Sequence, residues 1–206
     1  MSEVIFDCDD ICFEFAPGFS EYLLKYHGVI TRGSLPSKWD MVEWSGLPQE
    51  RILEILVEFS TSKYFGELKP IPGAVEGIMQ LVDAGYNPVI VTACFKHELT
   101  ELRRRQNVDA VFGAGTFSRI DFTPMGTSKL AQLSQYEPTI FVEDNYHNAL
   151  AGIEAGHEVL IRRVPHNLEY RDNSPSEMTW FDSFPEVVSH IFDRKPLVDM
   201  NGVHYA

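Results

Sequence analysis

The chain of 206 residues contains only three cysteines. Cys8, Cys12 and Cys94 are odd in number and include no Cys-x-x-Cys pair. This usage argues against a disulfide framework and favours a reducing compartment, so we expect a cytoplasmic protein. Cys8 and Cys94 lie near the predicted ends of strands, where we expect them to be small packing residues rather than redox centres.

Basic residues are also scarce. The chain has 17 Lys and Arg against 30 Asp and Glu, which gives a formal net charge of -13. A surface of this charge repels polyanions at long range, which argues against general nucleic-acid binding and against binding to anionic membranes. A small phosphorylated substrate is not excluded, because local cations and a metal ion can outweigh the distant field.

Long apolar runs are missing from the sequence. No stretch approaches the length of a transmembrane helix, and the N-terminus has no basic segment followed by an apolar one. We therefore expect neither a membrane span nor a signal peptide. A hydrophobic content of 44% and an aromatic content of 12% are typical of a soluble globular protein. The length suits one core with a small insertion.

Three acidic residues follow the first apolar run. Residues 4–11 read V-I-F-D-C-D-D-I and place Asp7, Asp9 and Asp10 after a short segment that suits a buried parallel strand. Ligands of open α/β sheets bind just beyond the carboxyl ends of such strands. Clustered carboxylates there are tolerable when a hard cation such as Mg²⁺ neutralises them. The alternative is a solvated acidic turn without a function.

Strand and helix patterns alternate along the rest of the chain, which predicts a parallel sheet with right-handed crossovers. Strands are expected at residues 3–6, 87–91, 108–112, 139–142 and 158–162. Helices are expected at residues 13–26, 49–59, 74–84, 96–106, 128–134 and 148–155, and near 184–192. The segment between the first strand and residue 69 is interpreted as a helical insertion. The tail, residues 164–206, is interpreted as polar loops around the last helix with a loose end.

Polar side chains close three of the predicted strands. They are Asp7 and Asp9 after the first strand, Thr92 after the second, and Glu143 with Asp144 after the strand at 139–142. Because the carboxyl ends of parallel strands meet at one edge of the sheet, these residues should converge. Lys129, near a predicted helix start, could point into the same crevice. Two carboxylates, a hydroxyl and an ammonium suit phosphoryl transfer, in which catalysis is mostly positioning and neutralising oxygens.

Four motifs in this order resemble those of the haloacid dehalogenase-like (HAD) superfamily of hydrolases. They are D-C-D at Asp7 and Asp9, V-I-V-T ending at Thr92, G-T-S-K-L with Lys129, and I-F-V-E-D-N with Glu143 and Asp144. The resemblance covers residues 4–161. It implies an α/β fold, a Rossmann-like parallel sheet flanked by helices, with a small helical cap inserted after the first strand. Residues 1–12 and 69–206 would form the HAD-like core domain, and residues 13–68 the cap.

The resemblance also implies catalytic roles. Asp7 would attack phosphorus, and Asp9 would protonate the leaving oxygen and then activate water. Thr92, Ala93 and Lys129 would bind the phosphoryl oxygens. An acid at position 9 separates phosphatases from dehalogenases in this family, so a 2-haloacid substrate is not expected.

Mg²⁺ is the cofactor that the resemblance implies. Its ligands would be Asp7, the backbone carbonyl of Asp9, and Asp144, with Glu143 in the second acidic position. Two residues depart from the family pattern. Asp10 adds a charge directly after D-x-D, and Asn148 stands where a later acid is common, so either Glu143 or Asn148 could support the metal.

A narrower resemblance concerns the substrate. The segments Y-F-G-E-L-K-P-I-P-G-A and R-R-V-P-H-N resemble the 5′(3′)-deoxyribonucleotidase branch, in which aromatic side chains of the cap stack on a base. Trp39 and Trp44 lie in a polar stretch punctuated by Gly and Pro, and we expect them to contact the ligand. For the other aromatics of the insertion we favour a place in its own core, since aromatics dominate small cores.

The chain is therefore expected to be a Mg²⁺-dependent phosphomonoesterase of a small phosphorylated substrate, with a nucleoside monophosphate as the leading candidate. One alternative is a phosphatase of a sugar phosphate, another small metabolite or a nucleic-acid end. A second is a non-catalytic phosphate-binding or interaction protein on the same scaffold. The basic run Arg103, Arg104 and Arg105 is expected to be a solvated helix face that pairs with acids.

Overall fold

A computed structural model describes residues 2–194 of the chain, and the predicted loose end beyond them lies outside the described residues. Its centre is a six-stranded sheet in which every neighbouring pair of strands is parallel. The strands are β1 (Glu3–Phe6), β2 (Asn87–Cys94), β3 (Ile120–Pro124), β4 (Ile140–Glu143), β5 (Glu158–Arg162) and β6 (Met178–Phe181). Their order in space is β3-β2-β1-β4-β5-β6. The expected α/β, Rossmann-like sheet is thus confirmed.

Helices connect the strands and cover the sheet. They are α1 (Phe15–His27), α2 (Val42–Ser45), α3 (Gln49–Thr61), α4 (Ala74–Asp83), α5 (Glu98–Phe112), α6 (Leu130–Leu133), α7 (Tyr146–Glu154) and α8 (Phe184–Asp193). Two stretches of 3₁₀ helix lie at Phe65–Glu67 and Pro165–Asn173. Among the described helices, none combines the length and apolar character needed to cross a bilayer.

The apolar strands divide the interior into two clusters. Because side chains alternate across a strand, Phe6 packs in one cluster and Ile5 in the other. Phe6 lies beside Ile90 of β2 and Val142 of β4 in the register of the sheet. Asp7, the residue after Phe6, therefore lies at the carboxyl edge of the sheet, where β1 runs between β2 and β4.

The insertion between β1 and α4 contains α1, α2, α3 and the first 3₁₀ turn. Its aromatic residues Phe19 and Phe59 are fully buried and belong to the same hydrophobic cluster as Phe6. The insertion packs against α5, where the Asn107 side-chain amide donates to the Leu68 carbonyl at 3.0 Å. The division into a core and a cap at residues 13–68 stays a prediction.

The sequence-based assignment of strands fails at three places. Residues 108–112, expected as a strand, form the last turns of α5, and Val108 and Phe112 bury one helical face four residues apart. β3 and β6 were not expected. Both are edge strands of the described sheet with polar or exposed positions, so their sequences lack a continuous apolar run.

Gly77 tests how tightly α4 packs on α8. A Cβ atom added there would lie 2.5 Å from the Phe184 ring and 2.9 Å from Val188. We expect Gly77→Ala to lower the free energy of unfolding by about 1–3 kcal/mol, as overpacking does. Chemical denaturation measures the effect, with Gln80→Ala on the exposed face of α4 as the control. An exposed helical glycine would instead gain stability on this change, and a gain would contradict the close contact.

Candidate active site

A cavity of about 570 Å³ opens at the carboxyl edge of the sheet. The sequence-predicted site residues that line it are Asp7, Asp9, Thr92, Ala93, Lys129, Glu143, Asp144 and Trp39. Trp44 does not reach it. Residues up to 137 positions apart, from Asp7 to Asp144, are brought together because β1, β2 and β4 are adjacent and parallel.

Lys129 is the buried cation of the site. Its side chain is 1% exposed, and its Nζ donates to Asp7 Oδ1 at 2.5 Å and to Glu143 Oε2 at 2.7 Å. Burial alone would lower the pKa of Lys129, but Asp7 and Glu143 outweigh it and hold that pKa above its usual value. The ammonium group is therefore charged, and its position at the N-terminus of α6 aims it at the first strand.

Asp7, Glu143 and Asp144 form a buried acidic cluster. One oxygen from each lies within 4.8 Å of the others. Burial, followed by the charge of Asp7, raises the pKa of Glu143 well above its usual value and that of Asp144 to about 7. Lys129 supplies one positive charge for three carboxylates, so the ionised cluster has an excess of negative charge. Oxygen donors of this kind fit a hard divalent cation such as Mg²⁺.

Glu143 also shapes the turn after β4. Its Oε1 accepts from the backbone N–H groups of Asp144 and Asn145 at 3.2 and 3.0 Å. The Asn145 side chain then caps α7 by accepting from the backbone N–H groups of His147 and Asn148. Glu143 thus accepts from three donors and has little freedom to move. Asn148 also lines the cavity.

Asp9 does not share the environment of Asp7. Its carboxylate accepts from the Arg104 guanidinium and lies outside the acidic cluster. Burial raises the pKa of Asp9 to about 6, and the charge of Arg104 opposes that rise. The expectation that the run 103–105 is a solvated face is wrong for Arg104, which is 1% exposed. Its neighbours on the helix give no local signal that the middle arginine faces inward.

Asp10, the unexpected third acid, links the first loop to α1. It has a left-handed φ of 54°, and its Oδ1 accepts from the backbone N–H of Ala16 at 3.2 Å. Its carbonyl accepts from Arg162 Nη1 at 2.5 Å. Burial, and next the charge of Asp144, raises the pKa of Asp10 to about 8.

Asp144 is also held by the segment that follows β5. The buried Asn167 amide donates to the Asp144 carbonyl at 2.7 Å and to the Arg162 carbonyl at 2.8 Å. His166 Nε2 lies 3.2 Å from Asp144 Oδ2, and burial lowers the pKa of His166. Sequence reasoning used the segment containing His166 and Asn167 only for its resemblance, and missed that it contacts Asp144.

The two tryptophans of the insertion have different environments. Trp39 is 53% exposed, lines the cavity, and meets the His166 ring edge-on at 5.2 Å between centroids. Trp44 is 2% exposed and packs against Phe19, and its indole N–H donates to the Gly33 carbonyl at 3.1 Å. Its ring is thus part of the interior of the insertion, which corrects the expected ligand contact.

An apolar and aromatic surface also lines the cavity. Its members include Phe15, Trp39, Ile52, Leu53, Leu56, Phe95, Met125, Tyr146 and Tyr170. Tyr146 and Tyr170 are stacked with their centroids 4.3 Å apart and their planes 8° from parallel. Sequence reasoning missed this pair, because Tyr170 comes from the 3₁₀ helix after β5 and reaches Tyr146 only in the folded chain.

Comparisons with known proteins show which fold this is. No family model and no curated protein sequence matches the chain. Among solved structures, it is similar to a predicted phosphatase from Clostridium acetobutylicum, with 16% identity, a TM-score of 0.65, and coverage of 93% of this chain and 98% of that one. A haloacid dehalogenase-like hydrolase from Streptococcus pneumoniae gives 15% identity, a TM-score of 0.63, and coverage of 92% and 98%.

A third similar structure is D,D-heptose 1,7-bisphosphate phosphatase from B. bronchiseptica, solved with magnesium and phosphate, with 11% identity and a TM-score of 0.55. The match covers 95% of this chain and all of that one. At these identities the similarities show a shared α/β fold. None of the three is described as a nucleotidase, and the resemblance to the deoxyribonucleotidase branch stays a prediction.

The raised pKa values predict how pH and Mg²⁺ affect stability. The pKa values of Asp9 and Asp144 rise from 3.8 to about 6 and 7, so the folded chain binds these protons more tightly than the unfolded chain. Their contribution to stability is complete below about pH 4 and is lost as the pH rises towards 7. In the presence of a chelator, these groups should therefore make the melting temperature lower at pH 7.5 than at pH 5.5. Addition of Mg²⁺ should raise the melting temperature more at pH 7.5 than at pH 5.5.

Asp144→Asn is the matched control for this measurement, because it removes one of these carboxyl groups and keeps its shape. Both the loss of stability between pH 5.5 and 7.5 and the response to Mg²⁺ should be smaller than in the wild type. A response to Mg²⁺ that is unchanged in Asp144→Asn would place the ion elsewhere.

Proposed function

We propose that the chain is a member of the HAD superfamily and a Mg²⁺-dependent phosphomonoesterase that acts through an aspartyl-phosphate. The observation that carries this proposal is the contact of Lys129 with both Asp7 and Glu143 inside the buried acidic cluster. A fixed ammonium beside a carboxylate nucleophile matches the need of phosphoryl transfer, which is to position the phosphoryl group and neutralise its oxygens.

In the first step, an Asp7 oxygen forms a bond to phosphorus while the bond from phosphorus to the leaving oxygen breaks. The electron pair stays on the leaving oxygen, which takes a proton from Asp9. In the second step, Asp9 accepts a proton from water as the water oxygen attacks the aspartyl-phosphate, and the bond from phosphorus to Asp7 breaks. A carboxyl group with a pKa of about 6 suits both proton transfers near neutral pH.

Thr92 and Lys129 would receive the phosphoryl oxygens. Both are buried, and both line the cavity beside Asp7. Asp7 and Asp144 would hold Mg²⁺, with the Asp9 carbonyl as a third ligand and Glu143 keeping Lys129 and the turn after β4 in place. When bound, the ion would neutralise negative charge on the phosphoryl group and on the cluster.

A nucleoside monophosphate is the substrate that we propose. The cavity offers a planar leaving group the exposed ring of Trp39 and the stacked Tyr146 and Tyr170. The cavity has little positive charge to bind a second phosphate, because Lys38 is the only Lys or Arg besides Lys129 among the described residues that line it. The similarity to a heptose bisphosphate phosphatase keeps sugar phosphates as the second candidate.

One screen tests this function against its rivals. Release of phosphate is measured on a panel of nucleoside monophosphates, sugar monophosphates and sugar bisphosphates, with Mg²⁺ and after chelation. We expect turnover only with the divalent cation, and the highest kcat/KM on nucleotides. Full activity after chelation would contradict the mechanism, higher kcat/KM on sugar phosphates would favour the second candidate, and no turnover would favour a non-catalytic binding protein.

Replacing the nucleophile is the sharpest test of the chemistry. Asp7→Asn should abolish turnover, because an amide cannot form the aspartyl-phosphate. The fold should persist, since the change is nearly isosteric and removes one negative charge from a crowded cluster. Thermal melts establish that the variant is folded, and Asp109→Asn, at an exposed position of α5, serves as the control. A folded Asp7→Asn protein with near wild-type activity would reassign the nucleophile.

The two tryptophans provide a matched pair for testing the substrate. Stacking a base on an aromatic ring contributes about 1–3 kcal/mol, so Trp39→Ala should lower kcat/KM on nucleotides by roughly 5- to 150-fold. A small phosphate ester without a base should lose much less. Trp44→Phe should lower the melting temperature without changing the preference between the two substrates, because Trp44 is buried. Equal losses of kcat/KM on both substrates in Trp39→Ala would contradict stacking of a base on Trp39.

A further inference from the structure

We propose that Arg104 is a positioning residue for Asp9, holding one carboxylate oxygen so that the side chain presents the other to the leaving group. This inference rests on the proposed phosphatase function. Arg104 contacts Asp9 and is absent from the lining of the cavity, whereas Asp9 lines it with 21% of its side chain exposed. The guanidinium therefore approaches Asp9 from behind, on the side away from the substrate.

The guanidinium is held in place by aromatic rings. Its central carbon lies 4.0 Å from the centroid of the Phe65 ring and 5.4 Å from that of Phe13. Phe13 belongs to the loop that follows Asp9, and Phe65 belongs to the 3₁₀ turn in which the insertion returns to the sheet. A planar cation stacked on fixed rings has few alternative orientations. Its hydrogen bond to Asp9 therefore fixes the carboxylate as well.

The neighbouring contacts keep this part of the insertion close to α5. A Cβ atom on Gly66 would lie 3.2 Å from Arg103 Cδ, and the Leu68 carbonyl accepts from the Asn107 side chain. Ser60 Oγ lies 3.3 Å from Thr100 Oγ1. Because Phe65 sits within this row of contacts, the insertion and α5 together determine where Arg104 lies.

A buried ion pair gives little net stability, since removing both charges from water costs about as much as their attraction gains. Orientation of Asp9 accounts better for this arginine. Asp9 must deliver its proton to the leaving oxygen as the bond to phosphorus breaks, and a misplaced proton donor loses much of its effect. The loss should be large for a basic alkoxide leaving group and small for p-nitrophenolate, which leaves without a proton.

The experiment compares the two kinds of leaving group in the full-length protein with Mg²⁺. The probes are the nucleoside monophosphate that the wild type turns over best and p-nitrophenyl phosphate. kcat/KM is measured because it reports the steps up to formation of the aspartyl-phosphate. Each variant is measured at its own pH optimum, so that a changed ionisation of Asp9 does not enter the comparison.

We expect Arg104→Met to lower kcat/KM on the nucleotide at least 10-fold more than on p-nitrophenyl phosphate. Arg104→Lys keeps the charge without the planar fork and should lie between Arg104→Met and the wild type. Arg105→Met, at the exposed neighbouring position, should change neither value appreciably. In an Asp9→Asn background, Arg104→Met should cause no further loss on the nucleotide, because the two residues act as one unit.

Equal losses on the two esters would overturn the inference and make Arg104 a structural residue. A rise in nucleotide turnover would also overturn it, since Arg104 would then hold Asp9 away from the substrate. A further loss in the double variant would show that Arg104 acts independently of Asp9.

Should Arg104→Met not fold, the same comparison is made with Arg104→Lys. If the wild type turns over neither ester, the proposed function itself fails; if it turns over both and the variants lose equally, only the role of Arg104 fails.

Discussion

The attraction of the Lys129 ammonium for Asp7 and Glu143 holds together a group of carboxylates that would otherwise repel one another. The three strands that carry these acids and Thr92 are central and parallel, so the fold itself forces the polar groups into one place. Lys129 lies beyond β3 and joins the group from outside those three strands. The excess negative charge that remains explains why a divalent cation, and then a phosphoryl group, would fit this edge.

The central strands were predictable because they are short apolar runs closed by polar residues. β1 and β5 have the expected bounds, while β2 continues past Thr92 to Cys94. The error at residues 108–112 has a simple physical cause. Val108, Val111 and Phe112 suit one face of a helix as well as a short buried strand, and the length of α5 could not be read from periodicity alone.

The residues of the candidate site likewise fall into those that the sequence predicted and those that it did not. Residues that follow a strand were found from the sequence, because parallel strands guarantee that their ends converge. Arg104, His166, Tyr146 and Tyr170 were missed, because each contacts the site through packing between distant elements. The sequence also could not show which of Trp39 and Trp44 lines the cavity. They share a composition and a neighbourhood in the sequence, and only the packing of Trp44 on Phe19 distinguishes them.

The left-handed backbone of Asp10 has a consequence for how this site can vary between proteins. Gly, Asn and Asp adopt that conformation most readily, and Asn would also keep an acceptor for the Ala16 N–H while removing one negative charge. The position therefore requires a left-handed backbone conformation more than it requires a negative charge. Chains that build the same turn are expected to exchange Asp, Asn and Gly there, so an acid after D-x-D reflects the local backbone geometry.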